Sequence, residues 1–217
     1  MNRAPLKETL LLDGPVGPLE AILERPAEGE PVAVAVVCHP HPLHEGTMHN
    51  KVAHTLARAF VELGAEALRF NFRGVGRSAG RHDNGVGETD DALAALDWLQ
   101  ARRPGAPLWL AGFSFGAQVA LRAALARPVT RLVTVAPPVG RIDRAAFRVP
   151  AADWLLIQGE ADEVVNAHDV IEWAMALEPR PTIVRVPGTG HYFHGRLNEL
   201  KRIIEAHIRG HQNERGR

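Results

Sequence analysis

The 217 residues, 46% of them hydrophobic, suffice for one full core, and a single domain over residues 1–217 is expected. Lys plus Arg and Asp plus Glu number 25 each, which removes the electrostatic case for nucleic acid or an anionic membrane as partner. The start, Met1 to Glu8, has no apolar signal core, and nowhere do eighteen apolar residues run together, so no membrane insertion is expected. Cys38 is the one cysteine, too few for an intrachain disulfide, which fits the expected reducing cytoplasm.

In chain order, residues 6–12 and 19–25 read as an antiparallel pair turned at Gly14-Pro15-Val16-Gly17-Pro18. The unbroken apolar run Val32–Cys38 fits a parallel strand buried on both faces. It leads into His39-Pro40-His41-Pro42-Leu43, and His39, His41, His44, His49 and His54, with Glu45, fall within sixteen residues. Imidazole-rich stretches can bind zinc or nickel, but neither H-E-x-x-H nor Cys-x-x-Cys is present, and the prolines turn neighbouring rings apart. No metal is expected: these histidines should form hydrogen bonds within a loop, with His54 on the surface of the following helix. That helix spans about 50–63 and ends at Gly64, followed by a strand at 66–71. The loop Arg73-Gly74-Val75-Gly76-Arg77-Ser78 lacks a complete G-x-G-x-x-G and is no dinucleotide loop. Thr89-Asp90-Asp91 begins a helix to about 102.

Pro107-Leu108-Trp109-Leu110-Ala111 reads as a buried strand and residues 117–126 as a helix. Between them stands Gly112-Phe113-Ser114-Phe115-Gly116, a G-x-S-x-G in the strand–turn–helix context of a nucleophile elbow. A sixth strand at 129–136 follows, then residues 137–153 with one short helix around 141–146. Trp154–Gln158 is strand-like and precedes Gly159-Glu160-Ala161-Asp162-Glu163-Val164-Val165, with Asn166 as the N-cap of a helix. Thr182–Val186, another strand, ends in Pro187-Gly188-Thr189-Gly190-His191. Leu197, Leu200, Ile203, Ile204 and Ile208 keep helical spacing, while His211 to Arg217 reads as a polar, fraying end. Alternating strands and helices with right-handed crossovers predict an α/β fold, a doubly wound and mostly parallel sheet of about eight strands.

On the elbow, the G-x-x-D-x-V-V stretch at 159–165 and the G-x-G-H stretch at 188–191, nearly the whole chain resembles a small α/β-hydrolase. The resemblance implies Ser114 as nucleophile, His191 as general base and then acid, and Asp162 as the carboxylate that orients the imidazole. Glu160 and Glu163 read as solvated charges, and His194, expected to open the last helix, is the alternative base. The family's oxyanion hole implies the N–H of Phe115 as one donor. Where many members have His-Gly, this chain has His39-Pro40; that alignment makes His41 the second donor, with Leu43 next if the register differs, because Pro40 and Pro42 have no N–H. The family often has an Asp where Asn71 stands, so an ion pair from that position to Arg73 is absent, and Arg73 is expected to brace carbonyls.

Residues 137–153 are too few for the helical lid of larger relatives, so the site should be shallow and open. Leu43, Met48, Phe113, Phe115, Val139 and Tyr192 are candidate pocket walls, although about half should pack in the core. The expected activity is cleavage of carboxylic esters of a small-molecule acyl substrate, with no cofactor. A thioesterase or small-peptide hydrolase would use the same residues, with Arg141 and Arg144 placed to meet a phosphate or carboxylate. A binding protein that keeps the fold without catalysis is the remaining class.

Overall fold

The computed structural model describes residues 4–215, with side chains as far as Gly210. Its centre is an eight-stranded sheet in the order β1-β2-β4-β3-β5-β6-β7-β8. The strands are β1 (Leu6–Gly14), β2 (Gly17–Arg25), β3 (Val34–Cys38), β4 (Glu66–Phe70), β5 (Leu108–Phe113), β6 (Arg131–Val135), β7 (Asp153–Gly159) and β8 (Thr182–Val186). From β4 to β8 all neighbours pair in parallel, whereas β2 pairs antiparallel with both β1 and β4. The expected mostly parallel sheet is thus present, and its leading hairpin closes at Gly14 opposite Gly17.

The helices are α1 (Lys51–Glu62), α2 (Val86–Arg102), α3 (Phe115–Ala126), α4 (Ala167–Met175) and α5 (Leu197–Arg215). β3, β4, β5 and β6 are buried at every position, because helices cover both faces of the sheet. On one face α1 and α5 pack Leu56, Phe60, Ile204 and Ile208 against Ala35, Val37 and Ala111 of the strands. On the other, α2, α3 and α4 pack Leu96, Val119 and Trp173 against Val36, Leu110 and Leu156. From β3 the chain crosses to β4 on one side, and after α2 it returns to β5 on the other. The strand order therefore reverses between β3 and β5, and the crevice beyond their carboxyl ends is where open α/β sheets bind ligands.

Three local expectations are corrected. α2 begins at Val86 rather than Thr89, because the Glu88 carboxylate accepts the N–H groups of Asp83 (2.9 Å) and Gly85 (2.7 Å) and closes the helix start early. No helix forms at 141–146: a 3₁₀ turn at Val139–Arg141 precedes a turn in which the Asp143 carboxylate accepts from Ala145 and Ala146. His194 does not open α5, which starts three residues later at Leu197. α5 itself continues to Arg215, beyond 211; the last two residues of the expected fraying end lie outside the described residues.

Candidate active site

Ser114 follows β5 directly and takes φ 55°, ψ −120°, a region that L residues rarely occupy. Its N–H donates to Val135 O (2.8 Å), and its own carbonyl accepts from Ala117 (2.8 Å), so strand and helix both hold the turn. The two glycines of the elbow are steric necessities. A Cβ on Gly112 would strike the Gly116 carbonyl, and one on Gly116 would strike the carbonyls of Cys38 and His39 at the end of β3. At the first position of α3, the N–H of Phe115 has no hydrogen-bond partner among the described residues.

The acid and histidine loops are fastened to each other. Glu160 N–H donates to Val186 O (3.0 Å) and Ala161 N–H to Thr189 O (3.0 Å), while Gly159 leaves room for the Thr189 carbonyl. Asp162 is fixed by Val164 and Val165 N–H on Oδ1 (2.9 and 2.8 Å) and by Gln158 Nε2 on Oδ2 (3.1 Å). Burial by itself would raise its pKa, but the hydrogen bonds from His191, Val165 and Val164 outweigh that and hold it below the ordinary carboxylate value. His191 Nδ1 lies 2.8 Å from Asp162 Oδ2, and its Nε2 lies 3.1 Å from Ser114 Oγ. The His191 side chain is 2% exposed and that of Asp162 fully covered. Phe113 packs on the imidazole at 4.8 Å and Tyr192 meets it edge-on at 5.0 Å. Sequence reasoning missed Gln158, and it took Glu163 for a solvated charge. Glu163 is exposed yet accepts the His191 N–H at 3.1 Å, a bond that exists only because the two loops meet. Glu160 pairs with Arg185 on the surface.

The loop after β3 is compact. His44 and Gly46 N–H both donate to His41 O (3.0 Å each), and Gly46 is required because a Cβ there would strike the Pro40 and His41 carbonyls. The His41 N–H has no partner among the described residues. The Leu43 N–H, by contrast, donates to His41 Nδ1 (3.2 Å), which leaves His41 as the unengaged N–H of the pair. Burial, then the charges of His82, His44 and Arg141, push the His41 pKa down to about 4. His39 is fully buried: its Nδ1 donates to Pro40 O (2.7 Å) and its Nε2 accepts the Phe72 N–H (3.0 Å). Burial drives its pKa down to about 3. His54 sits on the exposed side of α1. The prolines do not turn all the loop rings apart as expected: the 3₁₀ turn at Pro42–His44 brings the His44 ring edge-on to His41, with centroids 4.8 Å apart. Among the described residues, the one grouping with metal-ligand spacing is His168, Asp169 and Glu172, exposed on α4.

Arg73 braces a carboxylate, not carbonyls. Its guanidinium meets Asp91 of α2 at 2.7 to 3.1 Å, and the Arg73 N–H also donates to Asp91 (2.9 Å). Asn71 instead accepts the Met48 N–H (2.8 Å) and donates to Glu20 (2.8 Å). Of the expected pocket walls, Met48, Phe113, Phe115 and Val139 are buried, whereas Leu43 (70% exposed) and Tyr192 (41%) face solvent. Val139 lines a cleft of about 220 Å³ with Pro138, Arg141, Val164 and Asn166, beside the acid loop. Cys38 is buried, and burial raises its thiol pKa above the ordinary range. No helix among the described residues is long and apolar enough to cross a membrane.

Comparison with known proteins gives consistent matches. The family described as serine aminopeptidase, S33, matches residues 29–152, the half that carries β3 and the elbow. An uncharacterized protein of Rickettsia prowazekii (strain Madrid E) is 36% identical over 209 residues, covering 92% of this chain and 87% of its own. A lidless α/β serine hydrolase of Xanthomonas campestris is 48% identical, with a TM-score of 0.89 over 94% of each chain. An α/β serine hydrolase homologue of Coxiella burnetii is 45% identical, with a TM-score of 0.88 over 92% of this chain and 96% of its own. The eight-stranded sheet, the strained serine after β5 and these likenesses agree: the chain belongs to the α/β-hydrolase superfamily, among its lidless serine hydrolases.

Proposed function

We propose that this hydrolase cleaves carboxylic esters of small molecules through an acyl-enzyme on Ser114, with His191 and Asp162 completing the triad. The observation that carries the reading is the continuous contact from Asp162 through His191 to Ser114 Oγ, at 2.8 and 3.1 Å. Asp162 keeps the proton of a neutral His191 on Nδ1, so Nε2 is free to accept the Ser114 hydroxyl proton as Oγ attacks the carbonyl carbon. The unengaged N–H groups of Phe115 and His41 take the oxyanion, whose charge appears only in the transition state. When the tetrahedral intermediate collapses, His191 returns the proton to the departing alcohol. Water then repeats the sequence and frees the acid. No step calls for a cofactor. The residues between β6 and β7 form turns without a helical cover, which suits short or flexible acyl groups in an open site with the exposed Tyr192 beside His191. The lone buried Cys38 suits a reducing cytoplasm as the place of action.

Intact-mass measurement after incubation with a fluorophosphonate tests this directly. One adduct mapping to Ser114 and lost in His191→Ala is the expected result; an unmodified protein, or an adduct elsewhere, rejects the triad. Ser114→Ala should lower ester turnover about a thousandfold or more at unchanged thermal stability. The family description as serine aminopeptidase favours a second reading, a peptide substrate on the same residues, which could also serve a thioester. Relative rates on p-nitrophenyl esters, acyl-CoA and aminoacyl anilides separate the two.

A further inference from the structure

The geometry points to His82 as a positioning residue for the oxyanion loop, anchored on the buried Glu88 and packed on the side chains of His41 and Phe115. This rests on the oxyanion roles proposed for those two residues. Among the described residues every hydrogen bond of residues 40–46 is local: the N–H groups of His44, Gly46 and Leu43 all donate back to His41, and the Pro40 carbonyl accepts from the neighbouring His39 ring. Such bonds shape the loop but do not set it relative to the elbow. Ring contacts do. The His41 and Phe115 rings lie 4.8 Å apart, and the His82 ring closes a triangle at 4.9 Å from His41 and 5.5 Å from Phe115. The three rings come from three separate segments: the loop after β3, the elbow and the loop before α2. On its outer side His41 meets His44 edge-on at 4.8 Å.

His82 is placed by a rigid base. Its Nδ1 lies 2.7 Å from Glu88 Oε1, off the axis of an ideal hydrogen bond, with the two side chains 11% and 0% exposed. The same carboxylate accepts the N–H groups of Asp83 and Gly85 in the first turn of α2, where the helix dipole favours a negative charge. Oxyanion donors act only within about 2.7–3.1 Å of the charge, and a displacement of about 1 Å can cost on the order of a hundredfold. The clamp therefore bears on the chemical step and not on ground-state binding.

The test compares wild type with His82→Ala, which removes ring and anchor, and His82→Phe, which keeps a ring without the anchor. Both leave the backbone bonds of Glu88 in place. For each, kcat and KM on p-nitrophenyl acetate, the rate of Ser114 labelling by a fluorophosphonate and the amide order parameter of His41 are measured on folded protein. The expected result is a kcat and labelling rate at least tenfold lower in His82→Ala, a smaller loss in His82→Phe, KM within threefold, and a lower His41 order parameter. A His82→Ala kcat within twofold of wild type, or a loss confined to KM, overturns the proposal. If wild type itself neither turns over nor labels, the esterase reading fails and the order parameter decides alone: a His41 amide as rigid in His82→Ala as in wild type rejects the positioning role.

Discussion

His39 shows how one buried imidazole can set a protein's pH response. With both ring nitrogens engaged and no exposure, it stays neutral in the fold down to about pH 3, against an ordinary value of 6.5. Because the unfolded chain takes up a proton that the folded one refuses, its contribution is fully present above pH 6.5 and is lost as pH falls from 6.5 towards 3. The slope approaches about 1.4 kcal/mol per pH unit in that window. Denaturant unfolding at intervals from pH 7 to 4 should show the decline, and His39→Gln should flatten it; equal slopes would mean His39 is not the group responsible. Asp162 acts lower, since its depressed pKa withdraws stability only below the ordinary carboxylate range. At this scale the meeting of Ser114, Asp162 and His191 was legible because each sits in a short motif beside a strand end. The parts played by Glu163 and His82 were not: Glu163 fills a variable position of the acid motif and its partner is 28 residues away, while His82 sits in no motif and its ring partner His41 is on another loop.

Elements are held together here by ion pairs that link a loop to a helix. Arg73 and Asp91 join the loop after β4 to α2, with side chains 8% and 0% exposed. Gly87 makes this possible, because a Cβ there would occupy the Arg73 guanidinium's place; the helix accepts a glycine in its first turn in return. Replacing Asp91 by Ala leaves a buried guanidinium uncompensated and should cost roughly 3–5 kcal/mol in denaturant unfolding. A loss under about 1 kcal/mol would show that water reaches Arg73. From sequence, Arg73 points to carbonyls because the near position where a carboxylate could stand holds the uncharged Asn71. The carboxylate lies eighteen positions on, and only the return of α2 along the sheet brings it near. Strand positions, in contrast, were readable within two residues or so, since unbroken apolar runs such as Val34–Cys38 have no other stable place than a sheet covered on both sides.

Across the whole molecule, the sheet separates two cores, one under α1 and α5 and one under α2, α3 and α4. α5 closes the first of them, with Leu200, Ile204 and Ile208 fully buried. It also follows directly on the loop that carries His191, so packing of the chain's last helix and placement of this imidazole are mechanically linked. Ile204→Ala should lower unfolding stability by about 2–5 kcal/mol, within the range for deleting a buried aliphatic side chain. Urea unfolding followed by both far-ultraviolet circular dichroism and tryptophan fluorescence checks the value; a change under about 1 kcal/mol would remove α5 from the core.

The strands and the elbow are written in neighbouring residues, as apolar runs and a steric turn, whereas the order Ser114, Asp162, His191 is what the family resemblance implied. That some of the six pocket candidates would be core was foreseeable, but not which: Met48, Phe113, Phe115 and Val139 proved to be buried, and Leu43 and Tyr192 did not. It took the folded chain to spend Leu43's N–H on His41, to set Glu163 against the His191 loop, and to stand Glu88 and His82 behind His41 and Phe115. The difference is one of range. A side chain's class and a backbone's turn are local properties, whereas a hydrogen-bond partner is whatever the assembled sheet brings within about 3 Å.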